Sequence, residues 1–113
     1  MMNIRFGEIS EIENFPLFSE ENEGSDIVVA ESDEAEIIGY MQINEGADDA
    51  TVFFMESTVK GTGSALMNWL KGRCGYIVAN NVVNTAEGFY ARMGFERAGS
   101  NGYADQFNMA WEA

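Results

Sequence analysis

Gly61-Thr62-Gly63 separates a strand-like run, Phe53-Phe54-Met55, from an amphipathic stretch that opens Ser64-Ala65-Leu66. A chain that passes from strand through a tight glycine turn directly into a helix leaves the first helical N–H groups unpaired and pointing outward. The peptide dipoles aligned behind those groups favour an anion, and two glycines let it approach without a Cβ in the way. Phosphate binding is the chemistry such a turn suits. A nucleotide-triphosphate loop ends Gly-Lys-Ser/Thr, whereas here Lys60 precedes the glycines. A dinucleotide fingerprint needs a third Gly or Ala where this chain has Leu66. On these residues alone an ordinary glycine turn remains an equal reading.

Composition removes other chemistries. The chain has no histidine, which excludes Ser–His and Cys–His nucleophile schemes and the usual zinc ligand sets. A lone Cys74 leaves no internal disulfide and no multi-cysteine metal site, so no metal is expected. With 113 residues, 46% of them apolar, the chain is expected to form a single domain, residues 1–113, around one core. A net charge of −13 argues against nucleic acid or an anionic membrane as partner, since both demand a cationic face. That charge is compatible with a polyamine, an aminoglycoside or a basic protein surface, although simple solubility is the plainer reading. The opening Met1-Met2-Asn3-Ile4-Arg5-Phe6 lacks a long apolar run and no segment approaches membrane-spanning length, so a cytoplasmic location is expected.

The elements that must position the turn follow from periodicity. Asn3 to Phe6 reads as a first strand; Ile9, Ile12 and Phe15 then recur at roughly helical spacing until Pro16, predicting a weak helix. Ser19 to Asp26 is an acidic connection. Residues 26–31 and 36–44 predict an antiparallel hairpin, with 50–55 a third strand of the same meander. From Gly63, the residues Leu66, Trp69, Leu70 and Cys74 share one helical face, ending near Gly72 to Gly75. Tyr76 to Ala79 is a short buried strand. Val82, Val83, Ala86, Phe89, Tyr90 and Met93 form a second helical stripe closed by Gly94, for which Asn81 and Asn84 are equally placed caps. Two final strands, 95–98 and 103–112, flank a turn at 99–102. Strand–helix–strand in the middle demands a right-handed crossover and two parallel strands, while the rest can be antiparallel.

Strand, Gly61-Thr62-Gly63 turn, helix, strand, then a helix carrying Ala86-x-x-Phe89-Tyr90-x-x-x-Gly94-Phe95 resembles the GNAT superfamily of N-acetyltransferases over about residues 51–95. The resemblance implies an α/β (α+β) fold: a mixed, mostly antiparallel sheet of six or seven strands with a splayed central parallel pair and two main helices. It also implies transfer of an acetyl group from acetyl-coenzyme A, the cosubstrate, to a primary amine. The amides of Lys60, Gly61, Thr62, Gly63 and Ser64 would then grip the pyrophosphate. The backbone of Phe54, Met55 and Glu56 would bond the pantetheine arm, with Ala79 and Asn80 across the gap, because an unpaired strand edge needs a partner. Tyr90 would be the general acid that protonates the departing thiolate, and small Ala86, one helical turn away, would leave room beside the phenol. Read without the resemblance, Tyr90 is a core aromatic on an amphipathic helix. Glu56 is the candidate base, or else a solvated strand-end carboxylate. Mid-helix Gly88 costs about 1 kcal/mol relative to alanine, which suggests that something packs closely against it.

The chain departs from the family pattern at Thr58, where Arg or Gln is usual, at Val59, where glycine is frequent, and at Val83, where an Asn often stands. The stretch between the first two strands is also short for the two helices that normally wall the acceptor site. An open site suits a large acceptor such as a lysine on a protein, and the acidic surface favours a basic one; the acceptor expected is a small-molecule amine or a basic protein, and a second subunit could complete the site as a homodimer. The rival expectation is a non-catalytic acidic binding or inhibitor protein on the same fold.

Overall fold

The computed structural model describes residues 2–19, 25–100 and 106–113. Seven strands form one sheet: β1 (Asn3–Phe6), β2 (Asp26–Glu31), β3 (Ile37–Glu45), β4 (Asp49–Ser57), β5 (Tyr76–Val83), β6 (Glu96–Ser100) and β7 (Gln106–Glu112). Helix α1 (Thr62–Lys71) joins β4 to β5, and α2 (Asn84–Arg92) joins β5 to β6. The strands lie in the order β1-β2-β3-β4-β5-β7-β6, antiparallel throughout except for β4 with β5. The mixed α+β architecture with one parallel crossover is the one expected. The acidic connection at 20–24 and the turn and strand start at 101–105 lie outside the described residues.

Both helices pack on one face of the sheet. Leu66, Met67 and Leu70 of α1 are fully buried there against Val28, Met41 and Ile77, while Tyr90 of α2 joins the same core near Val82 and Phe107. The opposite face carries a smaller cluster of Ile12, Ile27, Val29 and Tyr40, covered by Phe15 and Phe18. No described helix is long and apolar enough to cross a membrane.

Two expectations are corrected. The weak helix after β1 shrinks to a 3₁₀ turn, Ile9–Glu11, continued by single turns in which Ile12 N–H bonds Ile9 O, Phe15 N–H bonds Ile12 O and Phe18 N–H bonds Phe15 O. Those apolar residues recur every third position, which matches the 3₁₀ repeat and lays Ile12, Phe15 and Phe18 on the sheet, while Ile9 stays exposed. The second correction moves Val82 and Val83 from the helix into β5, where Val82 pairs with Phe107. Neither asparagine caps α2: Val83 holds the cap position, Asn84 is the first helical residue, and Asn81 sits in the left-handed region at φ 56°. There the ladder with β7 slips between Ala79 and Val82. The bulge restores burial to Val82 after Ile77 and Ala79, so a strand continues where the spacing suggested a helix.

A second bulge decides what β4 presents to each side. Ile43 opposes Val52 but Gln42 opposes Phe54, leaving Phe53 as the extra residue. Val52 and Met55 consequently face the helices, whereas Phe54 and Glu56 face the smaller cluster. At the top of β4 the turn into α1 packs tightly on β3. A Cβ on Gly39 would stand 2.7 Å from Thr62 Cγ2 and 3.1 Å from the Glu56 carbonyl oxygen, so only glycine lets the turn settle at this depth.

Candidate active site

The parallel pairing of β4 and β5 is short, running only from Asp49–Tyr76 to Val52–Ala79. Beyond it the strands diverge, and the edge of β4 from Phe53 to Ser57 has no strand beside it on the β5 side. Ala79, expected across the gap, is still paired with Val52; the gap opens at Asn80. Helix α1 starts at the top of one diverging strand and α2 at the top of the other. Between them lies a cleft of about 220 Å³ lined by Met55, Ser57, Gly63, Ala86, Phe89 and Tyr90.

The glycine turn faces this cleft with free donors. Gly61 takes φ 90°, with nothing within 4 Å of where its Cβ would be. Ala65 N–H makes the first α-helical bond, to Gly61 O, and Thr62 N–H bonds Val59 O. The amides of Lys60, Gly61, Gly63 and Ser64 have no acceptor among the described residues. Of the five amides expected to grip an anion, four are therefore available and that of Thr62 is engaged. The Thr62 hydroxyl is buried with no hydrogen-bond partner among the described residues, at a cost of about 1–3 kcal/mol.

Tyr90 enters the cleft from α2 on a ring almost fully buried and packed edge-on against Phe89 and Phe95, with centroids 5.2 and 5.3 Å away. Its hydroxyl has no hydrogen-bond partner among the described residues, and burial pushes its pKa up to about 12. A neutral phenol held in this way remains a proton donor throughout the neutral range.

Glu56 sits elsewhere. Its carboxylate, on the far side of β4, accepts the Tyr40 hydroxyl at 2.9 Å and the Leu17 N–H at 3.2 and 3.3 Å. Tyr40 is fully buried, and burial, then its bond to Glu56, raises its pKa. Of the sequence candidates, Met55, Gly63, Ala86 and Tyr90 are thus brought to one cleft. Phe54 and Glu56 contribute only backbone to that side. Ser57 and Phe89 line the cleft without having been singled out; Phe89 stands three residues after Ala86 on the same stripe, a position read as core. Among the described residues no group of three or more His, Cys, Asp or Glu is placed to hold a metal ion.

The two raised phenols make stability sensitive to alkali. Below pH 10, the ordinary tyrosine value, both are protonated whether the chain is folded or not. Above it the unfolded chain ionises first, so stability falls as pH rises until the folded Tyr90 ionises near 12. Burial of Tyr90 alone should cost about 3 kcal/mol across that window. Thermal melts between pH 8 and 12 should show the midpoint dropping from about pH 10 upward, and Tyr90→Phe should flatten the slope; an identical slope in the variant would refute the assignment.

Residues 23–97 match the acetyltransferase (GNAT) domain family. Among solved structures, the chain is similar in fold to Ard1 from Thermoplasma volcanium, with TM-score 0.71 and 14% identity over 99% of this chain and 97% of that one. It is also similar to PaiA N-acetyltransferase from Thermoplasma acidophilum, solved with coenzyme A, at TM-score 0.72 and 17% identity over 100% and 99% of the two chains. A nourseothricin acetyltransferase gives TM-score 0.69 and 18% identity over 98% of each chain. No curated protein sequence matches the chain. A domain match spanning most of the chain, on a fold these acetyltransferases share, establishes that this protein belongs to the GNAT acetyltransferase family.

Proposed function

We propose that residues 1–113 act as one acetyl-coenzyme A-dependent N-acetyltransferase domain, with a primary amine as acceptor. The observation that carries this reading is the convergence on one cleft of free turn amides, an unpaired β4 edge and a buried, unpartnered Tyr90 hydroxyl. Acetyl-coenzyme A supplies the activated acetyl group as a thioester. The chain fits such a ligand: Gly61 leaves open space before the amides of Lys60, Gly61, Gly63 and Ser64, and the Phe54 to Glu56 backbone offers the sheet bonds an extended amide-bearing arm needs. Tyr90 holds the proton that the departing sulfur must receive. Glu56, whose carboxylate is held by Tyr40 and Leu17 on the opposite side of β4, would accept a proton from an amine arriving from that side, directly or through a water. Much of the acceleration comes from holding amine and thioester in line.

The acceptor is a basic molecule in this reading, either a small amine or a protein lysine, since the chain carries 19 acidic against six basic residues. Titration calorimetry with acetyl-coenzyme A should give saturable binding with a Kd of about 1–100 µM, within the range of ordinary enzyme substrates. A screen of polyamines, aminoglycosides and basic proteins with labelled acetyl donor then identifies the acceptor. Absence of any heat with acetyl-coenzyme A would overturn the proposal.

A further inference from the structure

The turns of residues 9–18 cover only part of the sheet face turned away from the helices, closing it over β2, β3 and β4. Over β5, β7 and β6 that face stays open. Ile77, Ala79 and Met109 belong to the core beneath the helices, so Tyr76, Ala110 and Glu112, which alternate with them, point the other way. Glu96 stands opposite Ala110, and Glu112 opposite Tyr76, which brings all four to one surface. There a trough of about 400 Å³ is lined by Tyr76, Glu96, Ala98, Ala110 and Glu112, with both glutamates and the tyrosine exposed.

Two carboxylates held two register positions apart on adjacent strands repel each other, and neither Glu96 nor Glu112 has an ion pair or side-chain hydrogen bond among the described residues. Arg97 does not answer them. It borders the trough, but its guanidinium holds Glu87 at 2.7 Å and lies 4.0 Å from the Phe107 ring centre. Small Ala98 and Ala110 leave the floor of the trough free. A long basic side chain fits this shape, its stem along Tyr76 and Ala110 and its charged end between the two carboxylates.

Resting on the transferase reading above, we propose that the acceptor amine is a lysine of a basic polypeptide, and that the trough binds a second Lys or Arg of the same segment between Glu96 and Glu112. Glu56 faces the same side of the sheet, where it is bound by Tyr40. Tyr76 stands level with Asp49, which comes seven positions before Glu56 on β4, and β7 lies two strands away from β4. At about 3.3 Å per residue and about 4.8 Å per strand, trough and Glu56 are about 20 Å apart. A small amine does not reach that far, whereas about six extended residues do. A polypeptide also finds an open edge beside the trough, because β6 does not extend alongside Trp111 and Glu112.

The test uses fluorescein-labelled glycine–serine peptides that carry one lysine and, about six residues to either side, an arginine or a glutamine. Anisotropy against the wild-type protein should show the arginine peptide binding about fivefold more tightly than the glutamine peptide, the yield of a pair of exposed contacts. In the double variant Glu96→Gln, Glu112→Gln the two peptides should bind equally, and the melting temperature should hold or rise as the repulsion is removed. In acetylation assays the same fivefold should appear in KM for the peptide at unchanged kcat. Equal binding of both peptides by the wild type, or an arginine advantage that survives in the variant, would overturn the assignment. So would acetylation of small amines alone by a protein that binds acetyl-coenzyme A, an outcome that leaves the transferase reading intact. Failure of that reading shows itself separately, as absence of acetyl-coenzyme A binding, and the anisotropy comparison needs no cofactor.

Discussion

Tyr90→Phe should lower kcat by about two to three orders of magnitude, the range expected for removal of a positioned general acid. The variant is informative because it deletes one oxygen and little else. The ring is held by edge contacts with Phe89 and Phe95, which phenylalanine makes equally well, and the hydroxyl bonds to no described residue. Folding stability at neutral pH should therefore be unchanged or slightly higher, since a buried hydroxyl without a partner is a cost to the folded state. Acetyl-coenzyme A affinity should stay within about twofold, because the role assigned to Tyr90 is exerted on the leaving sulfur in the transition state rather than on the bound ground state. With a pKa near 12 the phenol stays protonated under assay conditions, so wild-type turnover should show no alkaline limb from Tyr90 until well above pH 10. Steady-state kinetics with a fixed amine decides the matter. Turnover within threefold of wild type would remove Tyr90 from the chemistry and return it to the core.

The parts of this arrangement legible in the sequence are those set by local pattern. The turn into α1 is marked by two glycines, and the helix after it by apolar residues at three- and four-residue spacing, with Leu66 and Leu70 buried as expected. The Phe89-Tyr90 to Gly94-Phe95 segment is marked as clearly, and Gly94 takes the positive φ, 90°, that closes α2. What could not be read is set by partners distant in sequence. Val82 and Val83 suit a helical stripe and a strand equally, and only pairing with Phe107 and Gln106 in β7 assigns them to the strand. Glu56 poses the same difficulty in another form. Plain alternation along β4 counts Glu56 on the face of Val52; the extra residue at Phe53 reverses the parity and sends it to Tyr40 and Leu17. A bulge depends on how β3 lies alongside, and no periodicity within β4 announces it. Phe89 was hidden for a related reason: a cleft wall and a core wall look alike on an amphipathic stripe until the opposite element, Gly63, is placed.

Gly63→Glu should abolish acetyl-coenzyme A binding, weakening it by at least about a hundredfold, without unfolding the protein. The first atom of the new side chain is tolerable: a Cβ there would stand 3.4 Å from Phe89 Cε1 and 3.9 Å from Met55 Cε, ordinary contact distances. The atoms beyond it must enter the space between α1 and α2, which is the cleft itself. The carboxylate then lies among the free amides of the turn and takes the place of the phosphate, adding a charge to a chain already at −13. A negative side chain in the first turn of a helix is favourable by about 0.3–1 kcal/mol, so the melting temperature should hold or rise while binding is lost. Opposite signs for stability and affinity are what distinguish an anion seat from a structural turn, in which the same substitution would have no affinity to remove. Gly63→Ala serves as the graded control, adding only the tolerated Cβ and reducing affinity by about tenfold or less. Calorimetry on both variants beside their melting curves provides the comparison. Retention of wild-type affinity in Gly63→Glu would place the phosphates elsewhere, and the turn at Gly61-Thr62-Gly63 would then serve only to carry the chain from β4 into α1.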